Sequence, residues 1–153
     1  MKKIIIAVVA VVVLGVGYWL ISPFFIDKKV SEELDFSNEL EGVQPVLALR
    51  GSFEGFDRIH YGSGNVSVLE VGDKFIIRFE DNFNVANGPD LFVGFGKDGK
   101  YIKGSEISKL KGNIGSQNYE LPAGTNLSDY NEIWVWCRAF SVGFAKAVLS
   151  PSI

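Results

Sequence analysis

The sequence predicts an all-β fold, an antiparallel β-sandwich of the jelly-roll kind, preceded by one N-terminal transmembrane helix. Short apolar runs alternate with turn residues from about residue 46 onward. The 12 Phe favour strands, and the 17 Gly favour turns. An uncharged apolar run from residue 4 to residue 26 predicts the helix. A chain of 153 residues, 47% of them hydrophobic, can bury one full core.

Residues 1–29 are predicted to form a transmembrane signal anchor. As a helix rising about 1.5 Å per residue, residues 4–21 nearly cross a hydrocarbon core. The run ends in aromatic residues at 18–25, typical of a membrane interface, whereas a cleaved secretory signal, the alternative, ends in small residues. Lys2 and Lys3 favour a cytoplasmic N-terminus. We therefore expect a single-pass protein of the cell membrane whose C-terminal domain is extracytoplasmic.

Residues 30–45 are acidic and irregular, with Glu32, Glu33 and Asp35 among the first six, and we predict a juxtamembrane linker. A short helix over residues 31–40, with Ser31 as its N-cap, is the alternative. The folded domain is predicted to span residues 46–153.

Seven strands are predicted in that domain, and two tight turns, at residues 71–74 and 97–100, favour antiparallel neighbours. The strands are expected near residues 46–50, 65–71, 74–80, 90–95, 116–121, 131–138 and 142–149. Residues 101–114 have no clear pattern.

Charge and motifs argue against several function classes. The net charge is −3, with +3 on residues 1–29 and −6 on the rest. No basic run interleaved with aromatic residues is present, so nucleic acid is not an expected partner. The sequence has no nucleophile elbow, Cys-x-x-Cys pair or Gly-rich phosphate loop, which makes a hydrolase or a nucleotide enzyme a poor interpretation. Whether the chain is a redox enzyme stays open.

The only cysteine, Cys137, lies in an aromatic stretch, residues 132–138. Strand alternation places Cys137 on one face with Ile133 and Val135, and Trp134 and Trp136 on the other. Cys137 is therefore either a small buried hydrophobe or a redox or ligating sulfur.

The only histidine, His60, is the second candidate. It is either a structural hydrogen-bonding residue or a partner of Cys137, and an imidazole and a thiol together hold a soft metal or a haem. A histidine beside the thiol would instead lower the thiol's pKa.

Residues 81–90 are rich in oxygen ligands, with Asp81 and Asp90 at the two ends. They are weak candidates for a Ca²⁺ site, because the spacing lacks the closing Glu of a calcium loop. The alternative is a loop whose Asn and Asp side chains bind their own backbone.

Several motifs of the domain together resemble the electron-transfer DM-thirteen domain family over about residues 47–149. They are Gly51-Ser52-Phe53, His60 with Gly64, Phe79-x-Asp81-x-Phe83, Gly88-Pro89-Asp90-Leu91-x-Val93, Gly115-x-Gln117-x-Tyr119-x-Leu121-Pro122 and Trp136-Cys137-x-x-Phe140-x-Val142-x-Phe144. Residues 24–32 also look like the membrane-proximal lead-in of bacterial members.

The resemblance implies a β-sandwich related to the haem-binding DOMON domains and a role in extracytoplasmic redox chemistry or electron transfer with a redox partner protein. It implies that Cys137 is a naked thiol or a haem ligand, that His60 tunes or co-ligates it, and that Trp136 is a third cofactor-binding candidate. DOMON relatives use a methionine and a histidine, whereas this chain has no methionine beyond Met1. The alternative function is an anchored binding or adhesion module with a purely structural Cys137.

Overall fold

The computed structural model describes residues 1–22, 26–34 and 44–152, without the side chains of residues 19 and 20. One helix, α1 (Lys2–Ile21), forms where the sequence predicts it. Among the described residues, no helix is both long and apolar enough to cross a membrane, so the predicted transmembrane helix is not confirmed. Residues 23–25 of the predicted interface belt and residues 35–43 of the predicted linker and alternative helix lie outside the described residues.

Apart from one turn of 3-10 helix at Leu127–Asp129, the regular structure in the remainder of the described chain consists of strands, which confirms the all-β class. The strands are β1 (Val46–Gly55), β2 (Gly62–Ser63), β3 (Asn65–Val71), β4 (Lys74–Phe79), β5 (Asn84–Val85), β6 (Leu91–Lys97), β7 (Lys100–Tyr101), β8 (Ser108–Lys109), β9 (Gln117–Glu120), β10 (Glu132–Cys137), β11 (Val142–Val148) and β12 (Ser150–Pro151). Each predicted strand is present, although β1 continues five residues beyond its predicted end.

The main sheet has the strand order β7-β6-β10-β11-β1-β3-β4-β9, and its neighbouring strands are antiparallel. Strand β1 pairs with β3 through residues 46–52 and with β11 through residues 53–55. This change of partner lets the sheet curl into a half-barrel, a shape that fits a β-sandwich. The predicted DOMON-like form stays a prediction.

Both predicted turns are present. Val71 faces Lys74 across the β3–β4 turn, with Gly72 at φ +64°. Asp98 and Gly99 both have positive φ between β6 and β7, at 52° and 79°. Two successive positive φ values are typical of the tight turn that matches the twist of a hairpin.

Aromatic rings fill the inside of the curled sheet. Phe79 and Phe83 are fully buried and lie 4.6 Å apart between ring centroids, and Phe53 meets both rings edge-on. Burying each such ring contributes roughly 2–3 kcal/mol. Because Ile133, Val135 and Cys137 belong to this core cluster, the predicted facing of β10 is confirmed.

The segment 26–34, which we call the N-terminal strap, is bound to the domain. The Val30 amide donates to the Ile114 carbonyl at 2.9 Å, and the Glu32 amide donates to the Ser116 carbonyl at 3.0 Å. A side-chain Cβ at Gly115 would collide with the Val30 carbonyl, so a glycine is needed there. These contacts hold the N-terminal strap against the domain.

Candidate functional site

Cys137 ends strand β10 inside the core. Its neighbours across the sheet are Leu91 on β6 and Val142 on β11. The side chain is 0% exposed, and the thiol is free. This packing agrees with the interpretation of Cys137 as a small buried hydrophobe. It also bars dissolved reagents and partner thiols from the sulfur in the folded protein.

His60 lies in the loop between β1 and β2 and is held by Asp57. One Asp57 oxygen, Oδ1, accepts the main-chain N–H groups of Ile59 and His60, both at 2.7 Å. The other, Oδ2, lies 2.8 Å from His60 Nδ1, which must carry the hydrogen because a carboxylate only accepts. The His60 hydrogen bond and these two amides lower the pKa of Asp57 to about 2.

A series of contacts through Phe144 and Leu91 connects His60 with Cys137. The His60 ring meets the Phe144 ring edge-on, with 4.8 Å between centroids. A Cβ built on Gly88 would lie within 3 Å of both Phe144 and Leu91, so these side chains meet at that glycine. Leu91 is in turn the sheet partner of Cys137. The fold therefore brings the two predicted residues to one end of the sheet, with no hydrogen bond between them among the described contacts.

The positions of Cys137, His60 and Trp136 do not fit a haem. A cleft of about 500 Å³ between the N-terminal strap and the domain is lined by Leu91, but Cys137 and His60 are not among its lining residues. Trp136 points to the opposite face of β10, where its ring stacks on Tyr101. A haem on Cys137 would have to displace the core side chains around the sulfur.

The opposite face of β10 carries an aromatic cluster, which consists of Phe56, Tyr101, Trp134 and Trp136 and which we call the outer cluster. Tyr101 and Trp136 are stacked at 4.3 Å, and the Phe56 ring lies 5.0 Å from Trp134. Sequence reasoning predicted the facing of the two tryptophans but missed Phe56 and Tyr101. Tyr101 falls in the stretch without a clear pattern, and only the structure shows which strand it joins.

Glycines on β6 make room for the outer cluster. A Cβ at Gly94 would lie 2.9 Å from the Tyr101 hydroxyl oxygen, and a Cβ at Gly96 would collide with the Trp134 indole nitrogen. The alternation of Gly94 and Gly96 with Phe95 is the sequence signal that could have indicated a face covered by large rings.

Glu132 is a buried carboxylate, 3% exposed, beneath this cluster. It accepts the Trp134 indole N–H at 2.9 Å and the Gly99 amide at 3.0 Å. Lys146 Nζ lies 3.5 Å away and balances its charge. Glu132 therefore fixes both the Trp134 ring and the β6–β7 turn.

The predicted calcium ligands lie in different surroundings. Asp90 is paired with Arg138, whose Nε lies 3.1 Å from the carboxylate, and with Lys109 at 3.9 Å. Asp81 is exposed in a turn. Within residues 1–22, 26–34 and 44–152, no three His, Cys, Asp or Glu side chains are grouped so that they could hold a metal ion. A calcium site stays a prediction without geometric support.

Comparison with known proteins identifies the family. The family described as Electron transfer DM13 matches residues 53–149, which include His60, Cys137 and the strands around them. Neither the comparison with curated proteins nor that with solved structures gives a match. The family match spans well over half of the sequence and confirms the resemblance of the motifs, and the chain belongs to the electron transfer DM13 family.

Proposed function

We propose that the protein exchanges electrons with a redox partner protein through Cys137, acting as a naked thiol. The thiol gives one electron to an oxidant carried by the partner and one proton to water at the surface, which leaves a neutral sulfur radical and a reduced oxidant, and the reverse step restores the thiol. The family suggests a redox or electron-transfer role. The observation that supports this site is the chain of contacts from His60, whose side chain is 22% exposed, through Phe144 to Leu91, the partner of Cys137. These contacts provide packed protein between a surface residue and the buried sulfur.

The burial of Cys137 restricts the chemistry. Thiol–disulfide exchange needs direct approach of a second sulfur to a thiolate, and a side chain with no exposed area does not permit it. Electron exchange through intervening protein needs no such approach. The proposal is therefore electron transfer, with His60 as the residue nearest to solvent on the proposed route.

Protein-film voltammetry of the full chain, without added haem, tests this function. The wild type is expected to give a reversible signal that both Cys137→Ala and Cys137→Ser lack. Thermal melting of each variant checks that it is folded, and His60→Ala, which keeps the thiol, is expected to retain a signal with slower electron exchange. A signal unchanged in both Cys137 variants would reject the proposal.

We also propose that the domain is extracytoplasmic and that α1 attaches it to a membrane surface. Apolar side chains are exposed around α1, including Ile4 at 69% and Leu14 at 72%. Exposed apolar surface of this extent favours a nonpolar partner. Fractionation of cells that express the full chain, followed by protease treatment from outside, should place the domain in the membrane fraction and accessible to the protease. Recovery in the soluble cytoplasmic fraction would contradict this.

The second candidate is a binding or adhesion module with a structural cysteine. The complete burial of Cys137 beside Leu91 and Val142 favours it. In that case Cys137→Ala leaves the function of the protein in cells intact, whereas substitutions at exposed loop residues such as Ile59 and Phe140 abolish it. Loss of function with Cys137→Ala in a folded protein would exclude this candidate.

A further inference from the structure

The outer cluster brings three oxidisable rings together on the face of β10 opposite Cys137. Tyr101 and Trp136 are nearly parallel, at 3° and 4.3 Å between centroids. Trp134 lies 6.0 Å from Tyr101 and 6.2 Å from Trp136. Trp134 is buried, whereas Trp136 is only partly buried and so is the indole closer to solvent.

Each of the two inner rings has a carboxylate in its surroundings. The Trp134 indole N–H donates to the buried Glu132 carboxylate at 2.9 Å, which places negative charge beside that ring. The Tyr101 hydroxyl oxygen is buried and makes no hydrogen bond to the described residues. Burial raises the pKa of Tyr101, and the Glu106 carboxylate adds to this increase. Tyr101 is therefore a protonated phenol. Its hydroxyl lies beside the main chain of Ser105, the residue before Glu106, because a Cβ at Gly94 would be 2.9 Å from the Tyr101 hydroxyl oxygen and 3.2 Å from the Ser105 carbonyl oxygen.

We propose that the outer cluster is an electron relay in which Trp136 passes electrons to an oxidant at the surface and Tyr101 replaces them. The relay rests on the proposed electron-transfer function, because it supplies a second route for electrons beside the one through His60. Unlike the thiol of Cys137, its entry point is partly exposed.

The step conserves electrons and protons. A one-electron oxidant carried by a redox partner protein removes one electron from the Trp136 indole, which becomes a radical cation, and the oxidant is reduced. Tyr101 then gives one electron to Trp136 and releases the hydroxyl proton to the Glu106 carboxylate. The products are neutral Trp136, a neutral Tyr101 radical, protonated Glu106 and the reduced oxidant.

Tyr130 provides a matched control within the same domain. Its ring is stacked on Phe95 at 4.1 Å and 8°, a geometry close to that of Tyr101 on Trp136. Phenylalanine is not oxidised by reagents that oxidise tryptophan. Tyr130 is therefore stacked on a ring that forms no radical, and among the described residues it has no stacked partner to which it could pass an electron. Each Tyr→Phe substitution keeps the ring and removes only the hydroxyl.

Flash photolysis of the full chain with tris(bipyridine)ruthenium(II) and an irreversible cobalt(III) quencher tests the relay. In the wild type, the tryptophan radical should decay as a tyrosine radical appears. In Tyr101→Phe the tryptophan radical should live at least about tenfold longer, with Tyr130→Phe unchanged, and Glu106→Gln should slow the transfer by about threefold or more. Trp136→Phe should reduce the yield of tyrosine radical.

An unchanged tryptophan-radical lifetime in folded Tyr101→Phe would overturn the relay. The relay and the proposed function fail in different experiments. If Tyr101→Phe does not change the lifetime of the tryptophan radical but the voltammetric signal requires Cys137, only the relay is rejected. If the lifetime of the tryptophan radical depends on Tyr101 but the voltammetric signal is the same in the Cys137 variants, the role of the cysteine is rejected and the relay is supported.

Discussion

Glu32 and Lys111 form an ion pair that ties the N-terminal strap to the domain. Both Glu32 carboxylate oxygens lie 2.8 Å from Lys111 Nζ, and one of them also accepts the Asn118 amide at 2.8 Å. Burial alone would raise the pKa of Glu32. The hydrogen bonds from Lys111 and Asn118 and the charges of Lys111 and Arg78 outweigh burial and lower the pKa. The strap is thus held by charge as well as by its main chain.

Replacing Glu32 by Gln should therefore weaken the attachment of the strap. Gln keeps an acceptor for the Asn118 amide but loses the charge opposite Lys111, and the expected loss of unfolding free energy is about 1 kcal/mol after allowance for solvent screening. Urea denaturation of the full chain measures it. Glu33→Gln is the control, because Glu33 contacts Asn118 through its main-chain carbonyl. Equal stability of the two variants would contradict a specific role for Glu32.

Gly115→Ala should release the strap for steric reasons. Gly115 has φ +92°, and its added Cβ would meet the Val30 carbonyl. Gly104 has a similar φ of +83°, but nothing lies within 4 Å of its Cβ position, so Gly104→Ala carries only the backbone strain. We expect faster proteolysis within the strap, residues 26–34, in Gly115→Ala than in Gly104→Ala. Equal cleavage rates would show that the strap does not depend on this glycine.

The contacts of the N-terminal strap could not be predicted from the sequence, whereas the long strands could. The local alternation of apolar residues and the turns at Gly72 and Gly99 predicted the long strands, because these signals lie within a few neighbouring residues. The contacts of Glu32 with Lys111 and Asn118 join residues about 80 positions apart, and no local pattern encodes them. An acidic segment read alone resembles a solvated linker.

The candidate site was also only partly predictable: the sequence indicated its two main residues but not the side chains around them. The alternation of side chains along a strand predicted that Cys137 lies on the core face. The order of the family motifs along the sequence suggested His60 as its partner. The intervening Phe144 and Leu91 depend on how β11 and β6 flank β10, which is a property of the sheet order. The stacking of Tyr101 on Trp136 depends on the short strand β7, which is too short to show a period.

The Asp57–His60 contact should contribute a pH-dependent stability. The pKa of Asp57 falls from 3.8 to about 2 in the folded protein. The lowered pKa means that the stabilisation is complete above about pH 4 and is lost as the pH falls toward 2. Asp57→Asn keeps an acceptor for the Ile59 and His60 amides but has no charge. The difference in melting temperature between the wild type and Asp57→Asn should therefore shrink between pH 5 and about pH 2.

Asp81→Asn is the control for that series, since Asp81 is an exposed carboxylate in a turn. Its effect on the melting temperature is expected to stay small at each pH. A constant difference between Asp57→Asn and the wild type across the whole range would mean that the Asp57 charge does not stabilise the loop.

Cys137 should react with thiol reagents only when the protein opens. The side chain has no exposed area, so labelling by a disulfide reagent should be at least about 100-fold slower in the native protein than in urea. Cys137→Ser, which buries a hydroxyl without a partner, should lower stability by about 1–3 kcal/mol. Rapid stoichiometric labelling of the native thiol would contradict the buried position.

The proposed function requires that the buried thiol of Cys137 carries an electron. A coulometric titration of the reduced full chain, compared with that of Cys137→Ala so that the charge released by tryptophan and tyrosine is subtracted, tests it most directly. The wild type is expected to release one electron equivalent per molecule that folded Cys137→Ala does not release. Equal charge from both proteins would contradict the claim and leave Cys137 as a structural residue of the core.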